Sequence, residues 1–188
     1  NALRPRAGGE REVFPAMEAA GADFAEGDVG AGKGMVCHDL KGGIGTASRC
    51  LEVDGKTYTL GVLVLANHGN LRDLTIAGEQ IGPQLEERLR VSQTEDQGSC
   101  IAIVATGLPL DARQLERVAK RVSVGLARLG SYIGHGSGEV FLAFSTANAY
   151  DPRAEEKIRT VSAFREDSMD LPFQAVAECA EEAVLNVL

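Results

Sequence analysis

The sequence predicts a layered α/β (α+β) domain, and three features carry that expectation. Two β-rich runs meet at Asp54-Gly55, an uncharged run occupies residues 99–106, and two amphipathic helical patterns lie beyond it. A sheet with an apolar face and helices with an apolar stripe bury those surfaces by stacking as layers.

In chain order, residues 1–34 are rich in Gly, Ala and Glu and weakly periodic, with a short helix expected over 13–20. Residues 27–34 carry four glycines and read as a loop. Strands are expected over 46–53 and 56–66, because Asp-Gly accepts the positive φ of a tight hairpin turn. The second run, Lys-Thr-Tyr-Thr-Leu-Gly-Val-Leu-Val-Leu-Ala, is apolar and β-branched, as a central strand should be. It stops at Asn67-His68-Gly69-Asn70, which is turn chemistry. Apolar residues thin out over 71–98, which reads as an exposed linker. Residues 99–106 then form a buried strand.

Asp111 is placed to cap the next helix, whose Leu115, Val118, Ala119, Val122, Leu126 and Leu129 recur at steps of three and four. A Gly/Ser-rich loop over 130–138, a strand over 139–146 and a short helix over 153–161 follow. Pro172 opens a last helix with Phe173, Val176, Ala180, Val184 and Val187 on one face, still running at Val187-Leu188. With Asn1 rather than Met at its start, the sequence reads as a fragment: 1–188 as a single, partial domain.

A net charge of −8 and a pI near 4.9 repel a phosphate backbone and argue against nucleic acid as a partner. The longest uncharged apolar run, residues 60–66, is too short to cross a bilayer. Arg4, Arg6, Glu10, Arg11 and Glu12 break any signal-peptide pattern, so a soluble chain is expected, with cytoplasm and periplasm both open. Cys37, Cys50, Cys100 and Cys179 are scattered, and Cys37-His38 has no second ligand pair nearby in sequence. They read as buried small hydrophobes, not a metal site or a disulfide framework.

Three motifs bear on chemistry. Gly27-(x4)-Gly32-Lys33 imitates a phosphate-binding loop, but Gly34 stands where Ser or Thr must hold magnesium, and no apolar strand precedes it. These glycines read as turn and packing residues. No Gly-x-Ser-x-Gly elbow occurs, and His38, His68 and His135 all sit beside or near glycines, where solvated loop histidines are expected. A local pairing of His135 with Ser137 stays open. The third motif is Gly98-Ser99. A serine that starts a buried strand after a polar segment is where a chain cut would leave a new N-terminus beside a sheet. A free α-amine, with an ordinary pKa of about 7.7–8.0, can act as base for its own hydroxyl without a histidine. Taken alone, Gly-Ser at a loop end is also an ordinary turn.

The combination points further. Val29-Gly-Ala-Gly-Lys-Gly-Met35 is followed by Lys41-Gly-Gly-Ile-Gly-Thr-Ala-Ser-Arg49 and Gly61-Val-Leu-Val-Leu-Ala-Asn67. Gly98-Ser99 then leads its strand, and Gly134-His-Gly-Ser-Gly-Glu139 precedes Phe141-Leu-Ala-Phe-Ser-Thr-Ala-Asn148. This ordered set resembles the DmpA/BapA family of self-cleaving N-terminal-nucleophile hydrolases, which includes L-aminopeptidase/D-esterases and β-peptidyl aminopeptidases. The resemblance runs from about Gly27 to Asn148. It implies an α/β/β/α sandwich, a homo-oligomer, no metal or organic cofactor, and a cut between Gly98 and Ser99. Ser99 is then the nucleophile toward peptides, amides or esters with a free N-terminal amine. Residue by residue, the resemblance gives Asn67 the role of oxyanion-stabilising amide. Ser137 and Glu139 would organise the nucleophile and its amine. Family members are longer, and the segment carrying a further oxyanion tyrosine and an acid for the substrate amine has no counterpart here. Ornithine acetyltransferases share the self-cleaving chemistry but use threonine, against which Ser99 argues. A catalytically incomplete binding or assembly relative is the other alternative.

Overall fold

The computed structural model describes residues 9–90 and 98–188. Its centre is a four-stranded sheet ordered β3-β4-β7-β8. β3 (Gly43–Val53) and β4 (Lys56–Asn67) form the hairpin expected at Asp54-Gly55, where both residues take positive φ (50° and 73°). β7 (Ser99–Thr106) adds antiparallel to β4, and β8 (Gly138–Ser145) adds parallel to β7. A parallel neighbour needs a long crossover. It is supplied by α3 (Ala112–Lys120) and α4 (Val122–Arg128), the single expected helix broken in two at Arg121. Asp111 caps α3 as its sequence position suggested: its carboxylate accepts the Gln114 N–H at 2.7 Å, and the Gln114 side chain accepts the Asp111 N–H at 3.1 Å.

Strand alternation sorts the sheet into two faces. Leu60, Val62, Val64 and Ala66 of β4, with Cys100, Ala102 and Val104 of β7, are at most 2% exposed. Over them lies a layer made of α3, α4 and α5 (Asp170–Leu185), with α5 across β3 and β4 and α3 across β8. α5 presents Val176, Ala180 and Val184, and it ends at Leu185 rather than running through the last residues. The opposite face carries Ile101, Ile103, Val140, Leu142 and Phe144, all exposed among the described residues. The described residues thus supply one helical layer and one sheet of the expected sandwich.

Two expectations need correction. Residues 71–90, read as an exposed linker, hold a 3-10 turn (Leu71–Asp73), the short strands β5 (Thr75–Ile76) and β6 (Glu79–Gln80), and α2 (Gly82–Leu89). Leu71 and Leu74 are fully buried there, so two well-placed anchors order a segment that is polar on average. Residues 91–97 of that stretch lie outside the described residues. Residues 153–161 form no helix; Asn148 instead ties down the return of the loop, bonding through its amide to the Ser162 carbonyl (2.9 Å) and N–H (3.0 Å). The helix of the first segment is α1 (Glu10–Glu18), and the small strands β1 (Val36–Cys37) and β2 (Leu40–Lys41) precede β3. Among the described residues no helix is long and apolar enough to cross a membrane.

Candidate active site

Ser99 is the first residue of β7 and sits opposite Asn67, the last of β4, and opposite Gly138, the first of β8. Three strand ends therefore meet at one point. Alternation puts Ser99 on the open face with Ile101 and Ile103, where its hydroxyl is accessible. That hydroxyl donates to the Gly98 carbonyl at 2.7 Å and accepts the Gly138 N–H at 3.2 Å. The nucleophile candidate is thus held against the carbonyl group of its own preceding residue.

Packing explains the glycine before it. A Cβ on Gly98 would run into the Asn67 carbonyl and reach within 3.0 Å of the His68 Cα. Only glycine lets these two segments pass this closely.

Asn67 is fixed by its amide oxygen, which accepts the Val36 N–H at 3.0 Å. Since an N–H must be met by an acceptor, the NH2 end is the one left to donate elsewhere. Three further bonds tie residues 36–39 to the turn after Asn67. The His38 N–H donates to the His68 carbonyl at 2.8 Å, His38 Nδ1 donates to the Asn70 carbonyl at 3.0 Å, and Asp39 accepts the Leu71 N–H at 2.9 Å. Gly69, at φ 82°, has the His38 ring within 2.7 Å of where a Cβ would stand. One short segment thus clamps the turn that presents Asn67.

Ser137 and Glu139 flank Gly138, and the Ser137 hydroxyl donates to the Glu139 carboxylate at 2.7 Å. Glu139 pairs in register with Cys100 and alternates to the helix-side face. Among the described residues neither side chain hydrogen-bonds the Ser99 hydroxyl; the pair stands behind it. His135 is exposed and does not hydrogen-bond to Ser137, so their pairing is not formed. Burial pushes the neighbouring Cys100 thiol up to about 12, with Cys37 and Glu139 adding to the effect. It therefore stays protonated at neutral pH and offers no competing thiolate.

His38 and His68, expected as solvated loop residues, are buried at 0% and 1% exposure. Their rings meet edge to face with centroids 5.6 Å apart. Cys37, Cys100 and Cys179 are buried as expected, whereas Cys50 is exposed. The clamp was not legible in sequence: His38 and Asp39 both adopt positive φ, and their partners lie about thirty positions away. The phosphate-loop imitation fails structurally too. Gly30–Gly32 is a 3-10 turn with no helix after it, and Gly27 pairs with Ile44 through bonds of 2.6 and 3.0 Å.

The comparisons with known proteins agree with one another. The model of peptidase family S58 matches residues 1–188. The β-peptidyl aminopeptidase BapA of Sphingosinicella microcystinivorans is 42% identical over 95% of this chain and 48% of its own length. A crystal structure of the PH0078 protein from Pyrococcus horikoshii OT3 superposes with a TM-score of 0.85 at 46% identity, over 94% of this chain and 48% of the other. The L-aminopeptidase D-Ala-esterase/amidase of Ochrobactrum anthropi, described as a prototype serine aminopeptidase with a variant Ntn hydrolase fold, gives 0.84 at 38% identity, with the same coverage. This chain spans about half the length of these relatives.

Proposed function

This chain belongs to peptidase family S58, and from that membership we propose that it is part of a self-processing serine aminopeptidase in which Ser99 is the nucleophile. The observation that carries the proposal is the Ser99 hydroxyl, 2.7 Å from the Gly98 carbonyl oxygen at the junction of three strand ends. In processing, Ser99 Oγ attacks the Gly98 carbonyl carbon and the Ser99 amide nitrogen leaves with the proton. The resulting ester is hydrolysed, giving a Gly98 carboxylate and a free Ser99 α-amine. In turnover that amine takes the Ser99 hydroxyl proton, the acyl-enzyme forms, and water resolves it. No step calls on a metal or an organic cofactor.

Asn67 is the candidate oxyanion donor, because it is directly across from Ser99 and its amide is oriented by the Val36 N–H. Ser137 and Glu139 are proposed to hold the new α-amine, which would emerge in the plane of the strands beside Gly138. The substrates are peptides, amides or esters bearing a free N-terminal amine, and the enzyme is proposed to work as a homo-oligomer. The remaining half of the protein, by the length of the relatives, would cover the exposed apolar sheet face and complete the pocket.

Intact mass under denaturing conditions tests the nucleophile. The parent protein should separate into two chains at Gly98/Ser99, whereas Ser99→Ala should stay whole and inactive. An aminopeptidase that keeps its activity in Ser99→Ala would sink the assignment.

A further inference from the structure

The geometry points to Cys37, His38 and His68 as a buried binding site for a soft divalent cation, zinc by the chemistry of its ligands. His68 belongs to the turn that presents Asn67, Cys37 and His38 belong to the segment that clamps it, and the inference stands independently of the Ser99 reading. Each residue offers one ligand atom, and these atoms all lie within 4.8 Å of one another. The residues are 0%, 0% and 1% exposed. Tetrahedral zinc, with bonds of about 2.0–2.3 Å, holds its ligand atoms about 3.3–3.8 Å apart. The widest pair would therefore close by at most about 1–1.5 Å.

Three features prepare the site. The first is the state of His38. Its Nδ1 faces the Asn70 carbonyl at 3.0 Å, and a carbonyl can only accept, so the proton sits on Nδ1 and the lone pair on Nε2. A ligating imidazole that donates its other N–H to a main-chain carbonyl is the usual outer-shell arrangement in metal sites. The second is rigidity. The ligands come from two segments already joined by the bonds from Val36, His38 and Asp39 to Asn67, His68 and Leu71. Ligands held by their own backbone need little ordering when the ion arrives. The third is ligand type. One thiol with two imidazoles selects zinc-like ions over magnesium or calcium, which require oxygen. Three protein ligands leave a fourth position for a water. The cation would staple residues 37–38 to 68 and so hold Asn67 in place, without entering the hydrolytic steps.

The test loads full-length protein, purified without a histidine tag, with cobalt(II) and then with zinc(II). One equivalent of cobalt should bind with a near-ultraviolet thiolate-to-cobalt absorption, and zinc should displace it. Cys37→Ser should remove that absorption, and His68→Gln should weaken binding at least tenfold. X-ray absorption of zinc-loaded wild type, which needs no variant to fold, should read one sulfur and two imidazole nitrogens. Absence of stoichiometric binding, or a zinc shell without sulfur, overturns the site. Ser99→Ala should load as the wild type does, which separates this result from the nucleophile assignment.

Discussion

The two faces of β7 obey different rules. Cys100, Ala102 and Val104 are sealed under the helical layer at 0% exposure, within the buried core cluster. Ser99, Ile101 and Ile103 alternate with them yet look out from a face that stays open among the described residues. One strand thus carries both part of the buried core and the candidate nucleophile. The helix-side face stabilises the fold, and the open face is left for chemistry and for further packing.

The largest expected effect breaks the end where the faces meet. Gly98→Ala places a methyl against the Asn67 carbonyl, so the chain must shift away from β4. Processing should fall to undetectable over hours by denaturing mass analysis; cutting at the wild-type rate would show that the close approach is dispensable. Asn67→Ala comes next. Losing an oxyanion donor should lower kcat by about 10²–10³-fold, or about 3–4 kcal/mol of barrier, with a smaller change in KM. A loss confined to KM would move Asn67 to substrate binding.

A paired measurement then compares the faces directly. Leu60→Ala, fully buried under the helices, should cost about 2–5 kcal/mol in denaturant unfolding. Leu142→Ala, on the open face, should cost less than about 1 kcal/mol if that face stays solvated. An equal loss at both positions would show that another layer covers Leu142. The smallest effect concerns pH. Burial pushes the Cys179 thiol up to about 11, above its ordinary value of about 8.5. A raised folded pKa means that the native state holds the proton longer than the unfolded chain. Its contribution is full below about 8.5 and is lost as pH rises toward 11. Cys179→Ala should flatten that alkaline decline, and a thiol reagent at pH 7 should label Cys50 well before Cys179.

Much of this was legible locally. Asp54-Gly55 specified the hairpin, the period-two and three-four patterns specified strands and helices, and Asp111 capped its helix as expected. The order of glycine blocks led to the family, and Gly98-Ser99 to the candidate site. Residues 71–90 were misjudged because average polarity hides two buried leucines, and 153–161 because helical composition there found no core to pack on.

Sequence by itself determined the hairpin at Asp54-Gly55, the main strands and the helices beyond residue 111, because these follow from spacing and turn chemistry within a few residues, and the resemblance carried by the ordered glycine blocks pointed to Ser99 as the candidate nucleophile. Only the tertiary structure decided that Ser99 faces the open side, that Gly98 must lack a side chain, and that residues 36–39 clamp the Asn67 turn. It also decided that Cys37, His38 and His68 converge. Those are contacts between segments about thirty residues apart, held by left-handed backbone at His38 and Asp39 that no periodicity encodes.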